Sequence, residues 1–226
     1  MFVTCGCYCM ADVPSAAGKD PSAVRGALST LRRVYGGKAQ DPYYVSSIGT
    51  AEQVELVMGD AGAATYGEIP PVGFVQLLNF VQAKPCQLFY DLGSGTGKTV
   101  ILAWLLGLRA TGIELVQERH NAACEALERL KQDRGPCDGL QLIKASCLDV
   151  DWTDADILFC YDLCFPAAAR QSIAGIARRL RPGAVVVTSL AGELDEGFKL
   201  VDTFGCAASW GNRDIYFKVW SVAPGA

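Results

Sequence analysis

Residues 90–102, with the sequence YDLGSGTGKTVIL, decide how the rest of the chain is interpreted. The stretch joins the end of an apolar run, CQLFYDL, to a loop with three glycines and then to a second apolar run, TVILAWLLG. The first run has the length and composition of a buried strand, and the second has the length of a helix. A glycine-rich turn between a strand and a helix predicts an α/β fold with its ligand at this turn.

The sequence on both sides continues the same alternation. The predicted strands are CQLFYDL, ATGIEL, LQLIKAS, ADILFCY and GAVVVTSL, and the predicted helices are PPVGFVQLLNFVQA, GTGKTVILAWLLG, VQERHNAACEALERLKQDRG and AAARQSIAGIARRLRPG. The runs FKLVDTFG and RDIYFKVWSV end the chain as a predicted hairpin. This pattern predicts a Rossmann-like α/β fold, in which a mostly parallel, seven-stranded sheet carries helices on both faces. Such sheets bind ligands at the carboxyl ends of their strands.

The first part of the chain is predicted to lie before the catalytic core. Residues 1–20 are interpreted as a flexible leader and residues 21–65 as a small N-terminal helical cap. Within the cap, residues 21–37 fit a short helix, because a proline opens the segment and two glycines close it. Residues 50–59 fit another helix. Residues 66–226 form the predicted core.

Composition excludes several classes of protein. Half of the 226 residues are hydrophobic, 19% are charged and the net charge is −4, which is typical of a globular enzyme without general attraction for nucleic acid or anionic membranes. No apolar run is long enough to span a bilayer. Most of the ten cysteines fall in predicted strands and helices, which indicates reduced thiols in an intracellular protein. Cys5, Cys7 and Cys9 have the wrong spacing for the usual zinc pairs, which favours a disordered leader over metal binding or lipidation there, and no metal site is predicted.

Two familiar nucleotide-binding patterns are broken in the glycine-rich loop. A phosphate loop requires a glycine where this chain has Leu92, although GKT and the strand-end Asp162 match other parts of that pattern. Asp91 at the mouth of the loop would also repel a polyphosphate. A dinucleotide loop requires its third glycine one residue later than Gly97, where Lys98 stands.

The pattern that remains unbroken is the one of a loop that binds S-adenosylmethionine. An acid is followed by glycines at alternate positions, so the backbone can pass close to a ligand that carries positive charge. Glu114 ends the next predicted strand, where an acid can accept both ribose hydroxyls. The predicted cofactor contacts are Asp91, Gly93, Ser94, Gly95, Thr96, Gly97 and Glu114. Lys98 is interpreted as a first-turn helical residue that points to solvent.

Further segments resemble a known family. YGE at 66–68 precedes the loop by about 25 residues, and GIEL, CLDVDWTDADILFCYDLCF, RLRPGAVVVTSL and SWGNRDIYF follow it. Together they resemble the non-SET histone-lysine methyltransferases named for disruption of telomeric silencing, which have the Rossmann-like class I methyltransferase fold. The resemblance covers residues 65–218. The YGE segment and the DW…CF block make it more specific than the loop alone.

The resemblance implies roles for residues outside the loop. In the family the YGE segment, here Tyr66, Gly67 and Glu68, folds over the methionine part of the cofactor. Ser146 and Cys147 stand where the family usually has an acid and an aromatic residue that hold adenine. Both are included among the predicted cofactor contacts, and the contact with adenine is expected to be weaker or to be supplied differently.

The acceptor side also departs from the family. Tyr161 and Asp162 replace an asparagine that usually faces the methyl acceptor, and Asp162 could accept a proton there. Tyr66, Tyr161 and Phe165 are the candidate catalytic residues, as walls of an apolar channel to which Trp210 could also contribute.

The resemblance implies a protein substrate that offers a lysine side chain, with a histone among the candidates. The chain has no concentrated basic surface, so neither strong DNA binding nor membrane binding is expected. An intracellular location is expected, nuclear for a histone substrate and cytoplasmic otherwise. A same-fold methyltransferase for a small molecule or a non-histone protein, and a P-loop-like nucleotide-binding protein, remain alternatives.

Overall fold

The structure is a computed structural model. It describes residues 21–36, 68–189, 193–194, 196–207 and 214–223. The predicted leader, the predicted helix at 50–59, and Cys5, Cys7, Cys9, Tyr66, Gly67 and Trp210 lie outside the described residues.

The described elements follow the predicted alternation closely. The helices are α1 (Pro21–Val34), α2 (Pro71–Phe80), α3 (Lys98–Leu105), α4 (Gln117–Arg134) and α5 (Ala167–Ala177), with a short 3₁₀ helix at Asp162–Cys164. The strands are β1 (Leu88–Leu92), β2 (Arg109–Glu114), β3 (Leu140–Lys144), β4 (Ile157–Cys160), β5 (Val185–Ser189), β6 (Phe198–Ala207) and β7 (Asp214–Val222). None of the helices in this part of the chain is long and apolar enough to cross a bilayer.

The seven strands form one sheet in the order β3-β2-β1-β4-β5-β7-β6. The first five strands pair in parallel, whereas β7 runs antiparallel to β5 and β6. From β1 the chain builds the sheet outwards through β2 and β3, and it then returns to place β4 and β5 on the other side of β1. The topological switch point therefore lies between β1 and β4. The predicted seven-stranded, mostly parallel sheet is confirmed, and so is the terminal hairpin.

Two apolar cores cover the two faces of the sheet. Residues of β4 alternate between them, since Ile157 and Phe159 belong to the first core and Leu158 to the second. Helices α1 to α4 pack on the first face, and α5 packs on the second through Ile173 and Ala177. The predicted helices on both faces are therefore confirmed.

Helix α1 is part of the first core. Ala27, Leu31 and Val34 recur at helical spacing and are buried with side chains of α3 and α4. The Nη1 of Arg129 on α4 donates to the Val34 carbonyl at 2.9 Å. Helix α1 is therefore docked onto the helices that flank the glycine-rich loop, and the boundary between a cap and a core at residue 66 remains a prediction.

Candidate active site

A cavity of about 670 Å³ opens at the carboxyl ends of the parallel strands, where the loops after β1, β2, β3 and β4 meet. Predicted site residues that line it are Glu68, Asp91, Gly93, Ser94, Glu114, Ser146, Cys147, Tyr161 and Phe165. Gly95, Thr96 and Gly97 are absent from the lining. We call the wall formed by Glu68, Asp91, Ser94 and Glu114 the loop end of the cavity, and the wall formed by Phe159, Tyr161, Phe165 and Pro166 the aromatic end.

The backbone amides of the glycine-rich loop are already engaged by the protein. The amides of Gly93 and Ser94 donate to the Ile113 carbonyl at 2.8 and 3.0 Å. The amide of Gly95 donates to Glu114 Oε2 at 2.7 Å. A phosphate loop needs such amides to face its ligand. The loop geometry therefore disfavours a polyphosphate and suits a ligand recognised by side chains.

Two glycines show what the loop requires. Gly93 has φ of 79°, and a Cβ there would lie 2.8 Å from Cζ of Phe165, so the position excludes a side chain. Gly97 directly precedes α3 as its N-cap residue, and a Cβ there would lie 3.0 Å from Cβ of Ala123 on α4. Gly93 thus allows the aromatic end to approach the loop, whereas Gly97 allows two helices to approach each other.

Asp91 is a buried carboxyl at the end of β1, with 3% of its surface exposed. Burial raises its pKa to about 7, against the lowering effect of a hydrogen bond from the Thr99 hydroxyl, and Glu114 and Glu68 raise it further. A cation beside Asp91 would favour its ionised form. The group therefore suits a positively charged ligand.

Glu114 is buried at the end of β2, and both of its carboxylate oxygens organise backbone. Oε2 accepts the Gly95 amide, and Oε1 accepts the Val116 amide at 2.7 Å. A carboxylate oxygen can accept a second hydrogen bond, so these contacts leave capacity for ligand hydroxyls. Glu114 connects the loop after β1 to the start of α4 and faces the cavity at the same time.

The expectation that Lys98 points to solvent is wrong. Lys98 lines the cavity, and only 6% of its side-chain surface is exposed. Its Nζ lies 2.6 Å from Oε2 of Glu68, the only residue of the YGE segment in the described part of the chain. The lysine is therefore engaged by an acid from a distant segment, which removes the main feature that the chain shared with a phosphate loop.

The loop after β3 faces the cavity through Ser146 and Cys147. The Ser146 hydroxyl accepts the Leu148 amide at 3.2 Å, and the Cys147 carbonyl accepts the indole N–H of buried Trp152 at 2.8 Å. Burial raises the pKa of the Cys147 thiol to about 11, so the thiol is neutral. The loop offers a small polar group and a neutral thiol in place of the family's acid and aromatic residue.

The aromatic end is held by ring packing. Tyr161 lies with its ring centroid 5.1 Å from that of Phe217 on β7. Burial raises the pKa of Tyr161 well above its usual value, so its hydroxyl remains protonated and cannot act as a base. Phe165 follows the 3₁₀ helix and contacts the loop end at Gly93. Both predicted wall residues thus line one cavity.

Asp162 does not face this cavity. It is buried, and its Oδ1 accepts the amide of Ser189 on β5 at 2.9 Å. The carboxylate therefore stabilises the connection between β4 and β5, and the expectation that it takes a proton from the acceptor is not supported. Among the described residues, no cluster of histidine, cysteine and acidic side chains could hold a metal ion.

Several lining residues were given no role by sequence reasoning. They are Leu115, Val116, Arg119, Leu148, Leu163 and Cys164. Leu115 and Val116 directly follow Glu114, so their place next to the predicted ribose acid was the available signal. Arg119 is 8% exposed on the first turn of α4 and brings a guanidinium to the wall. Leu115, Val116 and Leu148 offer apolar surface for a flat ring in a site without the aromatic residue that is usual in the family.

The sheet order and the acid-lined cavity define a Rossmann-like class I methyltransferase fold. An RNA methyltransferase from Salinibacter ruber, solved in complex with S-adenosyl-L-homocysteine, shares this fold with a TM-score of 0.55 and 22% identity, over 71% of this chain and 96% of that chain. A family model described as histone methylation protein DOT1 matches residues 54–191. The match spans more than half of the chain, which therefore belongs to the DOT1 family.

Two curated relatives are similar to part of the chain, and both are described as histone-lysine N-methyltransferases specific for histone H3 lysine 79. The Candida albicans protein is 29% identical over 143 residues, which are 56% of this chain and 10% of that protein. The Dictyostelium discoideum protein is 27% identical over 134 residues, which are 54% of this chain and 7% of that protein. The chain thus spans a tenth or less of the length of these relatives.

Proposed function

We propose that this chain is an S-adenosylmethionine-dependent protein-lysine N-methyltransferase that acts on a histone. The observation that carries the proposal is the pair of buried carboxylates, Asp91 and Glu114, at the carboxyl ends of adjacent strands in a DOT1-family chain. Two acids on one wall suit a ligand with both positive charge and vicinal hydroxyls. The methyltransferase fold and the names of the relatives support the same function.

The residues of the loop end would hold the cofactor. Asp91 would face its positively charged methionine part, and Glu114 would accept its ribose hydroxyls while it keeps the Gly95 amide in place. Ser146, Cys147, Leu115 and Leu148 would surround the adenine, since they form the wall beyond Glu114. S-adenosylmethionine, once bound, supplies an electrophilic methyl group on a sulfonium.

The residues of the aromatic end would prepare the acceptor. A lysine side chain reacts only as the neutral amine, and removal from water favours that form. Phe159, Tyr161 and Phe165 provide an apolar wall next to the loop end, so they would strip water from the amine and align it. Protonated Tyr161 would orient the acceptor by a hydrogen bond and would not remove its proton.

The acceptor is the part of the proposal that most needs a test. The relatives are named for a lysine of histone H3, and a histone acceptor would place the protein in the nucleus. In this chain, however, Tyr161 and Asp162 stand where the family has asparagine, and Asp162 is turned towards β5. Because of these departures, a non-histone protein or a small molecule is the second candidate acceptor.

Binding and transfer can be tested separately. Isothermal titration with S-adenosylmethionine and with ATP tests the cofactor, and we expect heat of binding from S-adenosylmethionine alone. Transfer of a tritiated methyl group is then followed on nucleosomes, free histones and a cell extract that is separated into proteins and small molecules, with Glu114→Ala as the control with weakened cofactor binding. Labelling of histone lysine supports the proposal, whereas labelling only of non-histone proteins or of small molecules overturns the histone acceptor. Binding of ATP instead of S-adenosylmethionine overturns the proposal as a whole.

A further inference from the structure

Lys98 occupies an unusual position for a lysine in the first turn of a helix. It is 5% exposed, lines the cavity and lies 2.6 Å from Glu68. Glu68 is 18% exposed at its side chain and lines the cavity too. An ion pair removed from water is expensive, because both charges lose hydration. A largely buried pair on the wall of a ligand cavity therefore calls for an explanation other than stability.

The second oxygen of Glu68 is also held. The hydroxyl of Thr96 donates to Glu68 Oε1 at 2.9 Å, so both carboxylate oxygens are bound by residues at the start of α3. The Thr96 carbonyl in turn accepts a hydrogen bond from the buried hydroxyl of Tyr35, which follows α1. Nζ of Lys98 lies 5.9 Å from the centroid of the Tyr35 ring. These contacts tie three segments of the chain together at one point.

The ion pair also sets the charge of the cavity wall. Glu68, Asp91 and Glu114 bring three carboxylates to the loop end, and Lys98 brings a cation into contact with the first. Without Lys98, the Glu68 carboxylate would be a partly buried charge that has lost its cation, close enough to Asp91 to raise the pKa of Asp91. The carboxylate would then move towards water and carry its backbone with it.

We propose that Lys98 is a positioning residue, whose ammonium fixes the carboxylate of Glu68 at the loop end of the cavity so that the cofactor can bind. The proposal rests on the proposed function, since it assumes that this end holds S-adenosylmethionine. Lys98 acts through Glu68 and is not itself expected to contact the reacting atoms. It should therefore govern cofactor affinity more than the rate of methyl transfer.

The first test compares three variants by titration with S-adenosylmethionine. Lys98→Met keeps the length of the side chain without its charge, and we expect its Kd to rise at least about tenfold, the equivalent of about 1.4 kcal/mol. Lys98→Arg restores a cation and should stay within about threefold of the unsubstituted protein. Lys84→Met, at an exposed lysine before β1, is the matched control and should change nothing. With saturating cofactor, kcat of Lys98→Met should stay within about threefold, so that KM carries the loss.

A double-mutant cycle with Glu68→Gln separates positioning from general damage. If Lys98 acts through Glu68, adding Lys98→Met to Glu68→Gln should change Kd by less than about twofold, although it changes Kd at least about tenfold alone. Additive effects would overturn the proposal, as would a loss in kcat instead of KM. The double variant buries no lone charge, so it keeps the test valid should Lys98→Met fail to fold. Absence of S-adenosylmethionine binding in the unsubstituted protein would refute the proposed function, whereas binding that ignores Lys98 would refute only this inference.

Discussion

At the loop end of the cavity, side chains are held by hydrogen bonds from main-chain amides and by an ion pair, whereas at the aromatic end they are held by the packing of rings. Glu114 accepts two amides and Glu68 is bound by Lys98, so each carboxylate has a defined direction. Tyr161 and Phe165 contact Phe217 and the bare backbone of Gly93. Directional contacts specify one ligand, while ring contacts specify only shape.

The difference indicates where a protein of this fold can vary. A substitution at the loop end leaves a buried polar group without its partner, which costs about 1–3 kcal/mol. A substitution at the aromatic end changes volume and shape, to which neighbouring side chains adjust in part. We therefore expect the loop end to control cofactor affinity and the aromatic end to control the acceptor and the rate. Five predictions test that division.

The largest expected effect comes from the ionisation of Asp91. Its pKa of about 7 means that the carboxyl is protonated at pH 5, with Thr99, Glu68 and Glu114 as its polar neighbours. If only the ionised form holds the cofactor's positive charge, affinity for S-adenosylmethionine should fall roughly 80-fold between about pH 7.5 and about pH 5. Titration calorimetry at both pH values measures this fall. Asp91→Asn should bind weakly at both, and a pH-independent affinity of the unsubstituted protein would contradict the prediction.

The same carboxyl links folding to pH with a defined sign. The unfolded carboxyl titrates near 3.8 and the folded one near 7, so between these values the folded protein binds the extra proton. Stability of the ligand-free protein should therefore fall as pH rises through this window, by about 4 kcal/mol at most. Urea unfolding of the unsubstituted protein and of Asp91→Asn checks the contribution, because the asparagine variant should lack it.

The next largest effect is expected from Glu114→Ala. The change removes the acceptor for the Gly95 and Val116 amides as well as the proposed ribose ligand. We expect affinity for S-adenosylmethionine to fall by about 1–3 kcal/mol, which is about 5- to 150-fold. Glu125→Ala, on the exposed side of α4, is the matched control and should bind normally. Unchanged affinity in Glu114→Ala would show that the loop end is not where the cofactor binds.

The sequence predicts which residues form the loop end better than it predicts the contacts that those residues make. Asp91 and Glu114 were identified because strands that are buried on both faces appear as apolar runs, and an acid at the end of such a run is conspicuous. The glycine spacing then placed the loop between strand and helix. The same reasoning could not show that Gly97 serves helix packing, because its neighbour Ala123 comes from a helix later in the chain.

The residues that sequence reasoning misplaced depend on contacts between distant segments. Lys98 was expected in solvent because a lysine is rarely buried unless it is paired, and its partner Glu68 lies 30 residues earlier in the chain. Asp162 was considered as a proton acceptor for the methyl-transfer site, yet its carboxylate accepts the amide of Ser189, 27 residues later. The aromatic end was predicted because its residues follow a strand at the carboxyl edge of the sheet. Which other side chains join this wall depends on packing between distant segments, which no local sequence pattern encodes.

A smaller effect, confined to turnover, is expected from Phe165→Ala. The ring contacts Gly93 but makes none of the hydrogen bonds that hold the loop, so cofactor affinity should shift by less than about threefold. Turnover should fall at least about tenfold, because the acceptor loses part of the apolar wall that aligns and desolvates it. Phe80→Ala, at a half-exposed ring that packs on Phe204, is the control. A fall in affinity larger than the fall in kcat would assign Phe165 to the loop end.

The smallest effect is expected from Tyr161→Asn, which restores the residue usual in the family. The change removes a ring that packs on Phe217, so the free energy of unfolding should drop by about 1–3 kcal/mol while cofactor affinity stays within about threefold. Tyr216→Asn, at an exposed tyrosine of β7, controls for loss of a tyrosine.

The informative measurement on Tyr161→Asn is methyl transfer to nucleosomes and to any other labelled acceptor. If the acceptor is a histone lysine, activity on nucleosomes should stay equal or rise, because asparagine serves that acceptor in the family. If Tyr161 shapes the wall for a different acceptor, activity on that acceptor should fall and histones should remain unlabelled. Equal activity of both proteins on every acceptor would show that Tyr161 only fills the core, and that the acceptor approaches the cavity from another side.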